Sequence, residues 1–352
     1  MTQRIIFEIS GLPVLQNRVY NTPEEAIDCP TGDVLLVQDQ ESGIIFNAAF
    51  QPEKVVYDKN YQNEQGCSAV FTRHLNEVAR IIESHAFSKT ILEVGCGKGT
   101  FTEMLRARGL DVTGLDPAYE GNTSYIIRKP FSPSLGLTGD MVVLRHVLEH
   151  IARPFEFLKE ITIANGGKGL IYIEVPCLDW ITENRAWYDI FYEHVNYFRL
   201  SDFSRFFGSI IARGRLFGGQ YMFVVADIAS FSQDVPTSNK MFSIPFNFFS
   251  GIDDAVNIVT QTPDRSHVIW GAASKGVLFA LYLQRRGHLL DFAIDINPAK
   301  QNKFLPTTGL HVLSPDSAFE QLKPGDVIFV MNPNYLEEIK GKGGAIYQYV
   351  LP

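Results

Sequence analysis

Two groups of residues in this chain have the types and spacing to do chemistry. The first lies in Thr90-Ile91-Leu92-Glu93-Val94-Gly95-Cys96-Gly97-Lys98-Gly99-Thr100, where an apolar run enters Gly-x-Gly-x-Gly with Glu93 two places before the first glycine. Glycine is needed where a backbone turns sharply and a ligand must approach without a Cβ in the way. A second apolar run, Val112 to Leu115, ends in Asp116. It follows Gly95 by about twenty residues, a spacing that sets a carboxylate at the tip of the next strand against the ribose hydroxyls of an adenosine ligand. Cys96 and Pro117 adjoin these positions and share the expected ligand surface. The turn closes one residue earlier than the Gly-x-Gly-x-x-Gly of a dinucleotide site.

The second group is titratable. Arg145, His146 and His150 follow one apolar run, and Glu193-His194, preceded by Tyr192, follows another. Histidine is the usual general base near neutral pH, and a carboxylate next to it offers support. His146 and His150 are spaced to share a helical face, but no third ligand follows at a recognisable interval, so no metal is expected.

These residues need elements to hold them. Apolar positions at Phe71, Leu75, Val78, Ala79 and Ile82 predict a helix beginning near Ala69. Strand-like runs at Thr90 to Val94, Asp111 to Asp116, Met141 to His146 and Gly169 to Val175 then alternate with helical ones, including a helix opened by Pro154. That alternation predicts a parallel sheet with helices on both faces, and ligands at the carboxyl ends of its strands. His146 and His150 then line the crevice, and the aromatic stretch from Asp179 to Phe198 covers it as a lid or wall. Runs at 209–212 and 220–226 suit an antiparallel edge. From His267 a second strand–glycine turn–helix series begins, with strands expected at 268–272, 290–296, 310–313 and 326–331. The predicted division is 1–68, a small β-rich module, then 69–235, and 236–352. The class is α/β.

Composition excludes several functions. A net charge of −8 gives no reason to expect nucleic acid as a partner. No apolar run approaches the ~20 residues of a membrane helix, and Met1 to Phe7 do not read as a secretory leader. The four cysteines are scattered without a Cys-x-x-Cys pair, which argues against a disulfide framework and suits a reduced, cytoplasmic setting.

The order strand, Glu93, glycines, helix, strand, Asp116 resembles the S-adenosylmethionine site of class I methyltransferases. Beyond it, Tyr192-Glu193-His194-Val195-Asn196-Tyr197-Phe198, Gly271-Ala272-Ala273-Ser274-Lys275-Gly276 and Asp295-Ile296-Asn297-Pro298-Ala299-Lys300-Gln301 resemble a three-part family. Its members are the C-methyltransferases that act on nucleotide-linked 4-keto-deoxysugars. The resemblance covers nearly the whole chain and implies a class I methyltransferase Rossmann-like sheet followed by a second, C-terminal Rossmann-like domain. It implies S-adenosylmethionine as methyl donor, bound around Glu93, Gly95, Cys96, Gly97, Gly99, Asp116, Pro117, Arg145 and His146. It also implies His194 as base with Glu193 behind it, His150 facing the sugar, and Tyr61 near cofactor or substrate. In the expected reaction His194 takes a proton from the carbon α to a ketone, and His150 or Tyr192 holds the enolate oxygen. Phe191 stands where relatives usually carry tyrosine. Asp39 and Ser42 stand at the places of zinc-binding cysteines, so zinc is not expected there. O- or N-methylation of a small metabolite and a non-catalytic nucleotide-binding role remain open. An NAD enzyme is disfavoured because the turn at Gly271 lacks the dinucleotide fingerprint.

Overall fold

A computed structural model describes residues 3–58, 60–62, 66–86, 90–235, 237–238 and 240–352. The first sheet begins with β1 (Gln3–Pro13), β2 (Thr31–Asp39) and β3 (Ile45–Asn47), paired antiparallel. Its β2–β3 turn is tied by Asp39, whose Oδ1 accepts from Ser42 N at 2.6 Å and Ser42 Oγ at 2.8 Å.

The central sheet contains β4 (Thr90–Val94), β5 (Asp111–Leu115), β6 (Ile126–Ile127), β7 (Met141–Arg145) and β8 (Leu170–Pro176), all parallel. The interiors of β4, β7 and β8 are continuously buried, as suits strands covered by helices on both faces. One of those helices is Ala69–His85. Ser68 Oγ caps it by accepting from Val70 N and Phe71 N, and it buries Phe71, Leu75, Val78, Ala79 and Ile82, the predicted stripe.

After β8 the chain forms β9 (Asn196–Tyr197), which leaves the central sheet and pairs antiparallel with β3. The first sheet therefore runs β1-β2-β3-β9, its last strand borrowed from a segment over one hundred and forty positions later. The predicted antiparallel edge follows as β10 (Ile210–Leu216) and β11 (Tyr221–Asp227), giving the order β10-β11-β8-β7-β4-β5-β6.

The third sheet is wholly parallel: β12 (His267–Trp270), β13 (Ala293–Ile294), β14 (Val312–Leu313), β15 (Val327–Val330) and β16 (Gln348–Val350), in the order β14-β13-β12-β15-β16. The strand expected over 290–296 shrinks to two residues. Its neighbour β14 is equally short, and Asp295 turns away to accept from Ala272 N and Asn297 N. Among the described residues no helix is long and apolar enough to cross a membrane.

Candidate active site

A cavity of about 660 Å³ opens where the carboxyl ends of β4, β5 and β7 meet the C-terminal unit. Gly95, Cys96, Gly97, Asp116 and Pro117 contribute to it, and so do Arg145, His146, Glu149, His150 and His194. Tyr57 and Tyr61 line it from the N-terminal part, and Lys275, Asn297 and Lys300 from the C-terminal part.

The glycine turn is locked by the next strand. Gly95 N and Cys96 N both donate to Leu115 O, at 2.7 and 3.1 Å, and Gly97 N donates to Asp116 Oδ2 at 2.8 Å. Gly95 has φ +76°, and a Cβ there would meet Val147 Cγ2 at 2.3 Å. Gly97 also has positive φ, but a Cβ there would meet nothing within 4 Å, so this is where the turn leaves room. Gly99 departs from expectation. It does not line the cavity; with φ +84° it caps the helix Thr100–Ala107, and a Cβ would strike Ile126 Cδ1 at 2.5 Å. Its role is close helix–strand packing.

Glu93 ties strand to helix, accepting from Thr102 Oγ1. Burial raises its pKa, against the lowering effect of Thr102 and Arg145. Arg145 lies over the Phe101 ring at 4.3 Å and donates Nε to Glu174 Oε2 at 3.3 Å. Glu174 sits at the centre of a buried polar group, also accepting from Tyr172 Oη and approached by His74 Nε2. Burial alone would raise its pKa, but Arg145, His146 and His74 hold it well below the usual carboxylate range.

His146 adopts φ +52°, a strained conformation for a residue with a Cβ. Its amide donates to Glu174 O, and Nδ1 lies 3.2 Å from Glu149 Oε1. Burial disfavours its charge, yet Glu149 and Glu174 outweigh that and push the pKa up to about 9. It is a cation at neutral pH, and so cannot serve as a base there.

His150 and His194 meet edge to face, ring centroids 5.1 Å apart. Nδ1 of His150 faces Glu193 O at 2.9 Å, and because a carbonyl only accepts, that nitrogen carries the proton. The His194 ring packs on Phe191 at 3.9 Å, so the residue standing in for tyrosine forms part of the wall. Burial first, then the nearby His150, His146 and Lys275, hold the His194 pKa well below its ordinary value. His194 is neutral, with a lone pair to offer. Its segment is clamped from two sides: Val195 N donates to Glu149 O, and Asn47 N donates to Val195 O, both at 2.7 Å.

Two expectations are corrected here. Glu193 does not support the His194 ring. Its carboxylate turns to the N-terminal part, accepting from Gln16 N at 3.0 Å beside Tyr61 and Tyr57, and burial raises its pKa. Tyr192 is fully buried and faces away from the cavity, its hydroxyl accepting from Gln51 N at 2.9 Å. Neighbours along a turn project in different directions, so adjacency in sequence did not mean adjacency at the site. Tyr61 does reach the cavity, packed on Tyr57 at 4.8 Å.

Sequence reasoning missed Glu149, Glu174, Tyr57 and Lys275. Glu149 lies inside the Arg145 to His150 stretch, and an acid between two histidines in the turn after a strand was a usable signal. Lys275 Nζ pairs with Asp189 Oδ2 at 2.7 Å, joining the C-terminal unit to the aromatic wall; no local pattern announces that contact.

The chain matches the methyltransferase domain family over residues 68–209 and the C-methyltransferase C-terminal domain family over residues 253–349. The C-methyltransferase NovU of Streptomyces niveus is 24% identical over 285 residues, which cover 71% of this chain and 67% of that protein. The mitochondrial ubiquinone biosynthesis O-methyltransferase of Schizosaccharomyces pombe is 34% identical over 101 residues, 24% of this chain and 36% of that one. Among solved structures, a SAM-dependent methyltransferase from Archaeoglobus fulgidus aligns at 17% identity and TM-score 0.34, covering 46% of this chain and 95% of that one. With both domain families matched in order along one polypeptide, the chain belongs to the S-adenosylmethionine-dependent C-methyltransferases.

Proposed function

We propose that the protein transfers a methyl group to the carbon α to a ketone in a nucleotide-linked keto-deoxysugar. The supporting observation is a neutral His194 ring set against His150 in a cavity that also contains the glycine turn and Asp116.

The site fits the methyl donor. The side of Gly97 that a Cβ would fill is open, and the Asp116 carboxylate is fixed beside it by Gly97 N and Ala118 N, with lone pairs left for ribose hydroxyls. Glu93, Gly95, Cys96 and Pro117 shape the same wall, where the charges of Arg145 and His146 are balanced by Glu174 and Glu149. The donor supplies a methyl on a positively charged sulfur, which leaves as a neutral thioether.

The remaining work falls to the chain. His194 accepts the proton from the α carbon, and the electron pair of that C–H bond becomes the enolate that forms the new C–C bond. The enolate oxygen needs a donor, and Tyr192 is not in reach. Tyr57 and Tyr61 line the cavity beside the Glu193 carboxylate, and desolvation of the phenols together with that negative charge raises both pKa values, so both keep their protons. One of them takes that role. With Nδ1 turned to Glu193 O, the Nε2 edge of His150 is left to meet a sugar hydroxyl. Holding acceptor and donor together makes a bimolecular transfer effectively intramolecular.

His194→Ala should lower kcat by about 10²–10⁴-fold, the usual worth of a general base, with binding of S-adenosylhomocysteine by calorimetry unchanged. Equal loss of both contradicts the assignment. Incubation with isotope-labelled donor and a nucleotide-linked 4-keto-deoxysugar should place the label on carbon; label on oxygen refutes the enolate route.

A further inference from the structure

Glu149, His150 and His194 bring one carboxylate oxygen and two ring nitrogens within 4.8 Å of one another on the cavity wall. Two of the three are oriented from behind. His150 gives its Nδ1 proton to Glu193 O, leaving Nε2 with the lone pair. Glu149 Oε1 is held by His146 Nδ1 at 3.2 Å, while its Oε2, in a residue only 1% exposed, has no partner. Outer contacts of this kind fix the tautomer and direction of metal-ligating histidines and carboxylates. Two imidazoles and one largely buried carboxylate converging at the edge of a cavity suit zinc and neighbouring divalent transition ions. Magnesium and calcium prefer all-oxygen sites.

We infer that Glu149, His150 and His194 bind one divalent transition-metal ion, and that its binding stops methyl transfer. Ligand atoms around tetrahedral zinc lie about 3.4 Å apart, given Zn–N bonds near 2.0–2.1 Å, so from within 4.8 Å the groups close by at most about 1.4 Å, a distance side-chain rotation covers. The fourth position opens into the cavity. The inhibitory half rests on the reading of His194 as proton acceptor, because the lone pair that coordinates the ion is the pair that takes the proton. The site would make the enzyme sensitive to free zinc and let an acceptor and the ion compete.

The test titrates the untagged full chain with cobalt(II), read by calorimetry and visible absorption, and then displaces cobalt with zinc. The expected result is one equivalent of cobalt with bands typical of low coordination number. Glu149→Gln and His150→Ala should each weaken binding at least tenfold, while calorimetry with S-adenosylhomocysteine reports whether each variant is folded. Glu149→Gln keeps the side-chain shape and so serves where His150→Ala does not fold. No saturable cobalt binding, or binding unchanged in folded Glu149→Gln, overturns the site. One equivalent of zinc should abolish turnover and a chelator should restore it; unchanged or faster turnover with zinc bound overturns the inhibitory assignment. A metal-free chain that binds cobalt but methylates no keto-sugar nucleotide marks failure of the acceptor reading and leaves the site standing.

Discussion

The chain contains two strand–glycine turn–helix units, and they face one cavity from two sides with different chemistry. In the central sheet Asp116, just past β5, accepts from Gly97 N; in the C-terminal sheet Asp295, just past β13, accepts from Ala272 N at 2.9 Å. The local wiring is the same. The space beside it is not. Gly97 faces open space, whereas a Cβ on Gly276 would come within 1.9 Å of Gly271 O. The buried Lys300 ammonium donates to Ala272 O at 2.8 Å, and Asn297 is buried against the same turn. Burial lowers the Lys300 pKa, with Asp295 opposing that shift. Both turns line the same cavity, the first with an open glycine beside its acid, the second with the Lys300 ammonium held against its own backbone. The shared topology alone would not have separated them.

The contrast can be broken by substitution. The largest effect is expected from Gly95→Ala, which combines a 2.3 Å clash with Val147 and a left-handed backbone; the strain alone is worth about 1–3 kcal/mol. Lowered melting temperature and S-adenosylhomocysteine affinity, both by calorimetry, should result. Gly276→Ala should destabilise the C-terminal unit by about 1–3 kcal/mol through overpacking, with donor-product affinity unchanged once folded. Equal loss of that affinity would show the two turns to be coupled.

Asp116→Ala and Asp295→Ala sharpen the comparison. The first should cost donor-product affinity about tenfold, a loss of ~1.4 kcal/mol, with little change in chemical denaturation, because Gly97 N and Ala118 N lie where water can replace the lost acceptor. The second should do the reverse, costing about 1–3 kcal/mol of stability because Ala272 N and Asn297 N lose their acceptor. The smallest effect belongs to Lys300→Met. It removes a 2.8 Å hydrogen bond to Ala272 O and a 3.5 Å one to Asn17 Oδ1, together worth about 1 kcal/mol, and a gain of NAD binding by thermal shift would show that the cation keeps a dinucleotide off that turn.

Local patterns made much of this readable. The helix stripe from Phe71 to Ile82, the parallel central strands and the Gly95–Asp116 turn each depend on neighbours within a few residues or on one strand–helix–strand step. Gly99 was misjudged because a glycine for packing and a glycine for ligand access look identical in sequence. Tyr192 and Glu193 were misjudged because the turn they occupy sends them to Gln51 and Gln16.

Residue types and short spacings by themselves pointed to S-adenosylmethionine and to the fold of the glycine turn onto Asp116, since those bonds close over short loops. They also supplied both histidines. Tertiary structure alone decided that His150, His194 and Glu149 share one wall. That meeting depends on Val195 reaching Glu149 and on β9 crossing over to β3. Contacts between segments so far apart in the chain are selected by packing of the whole molecule, and leave no period or motif in the sequence to announce them.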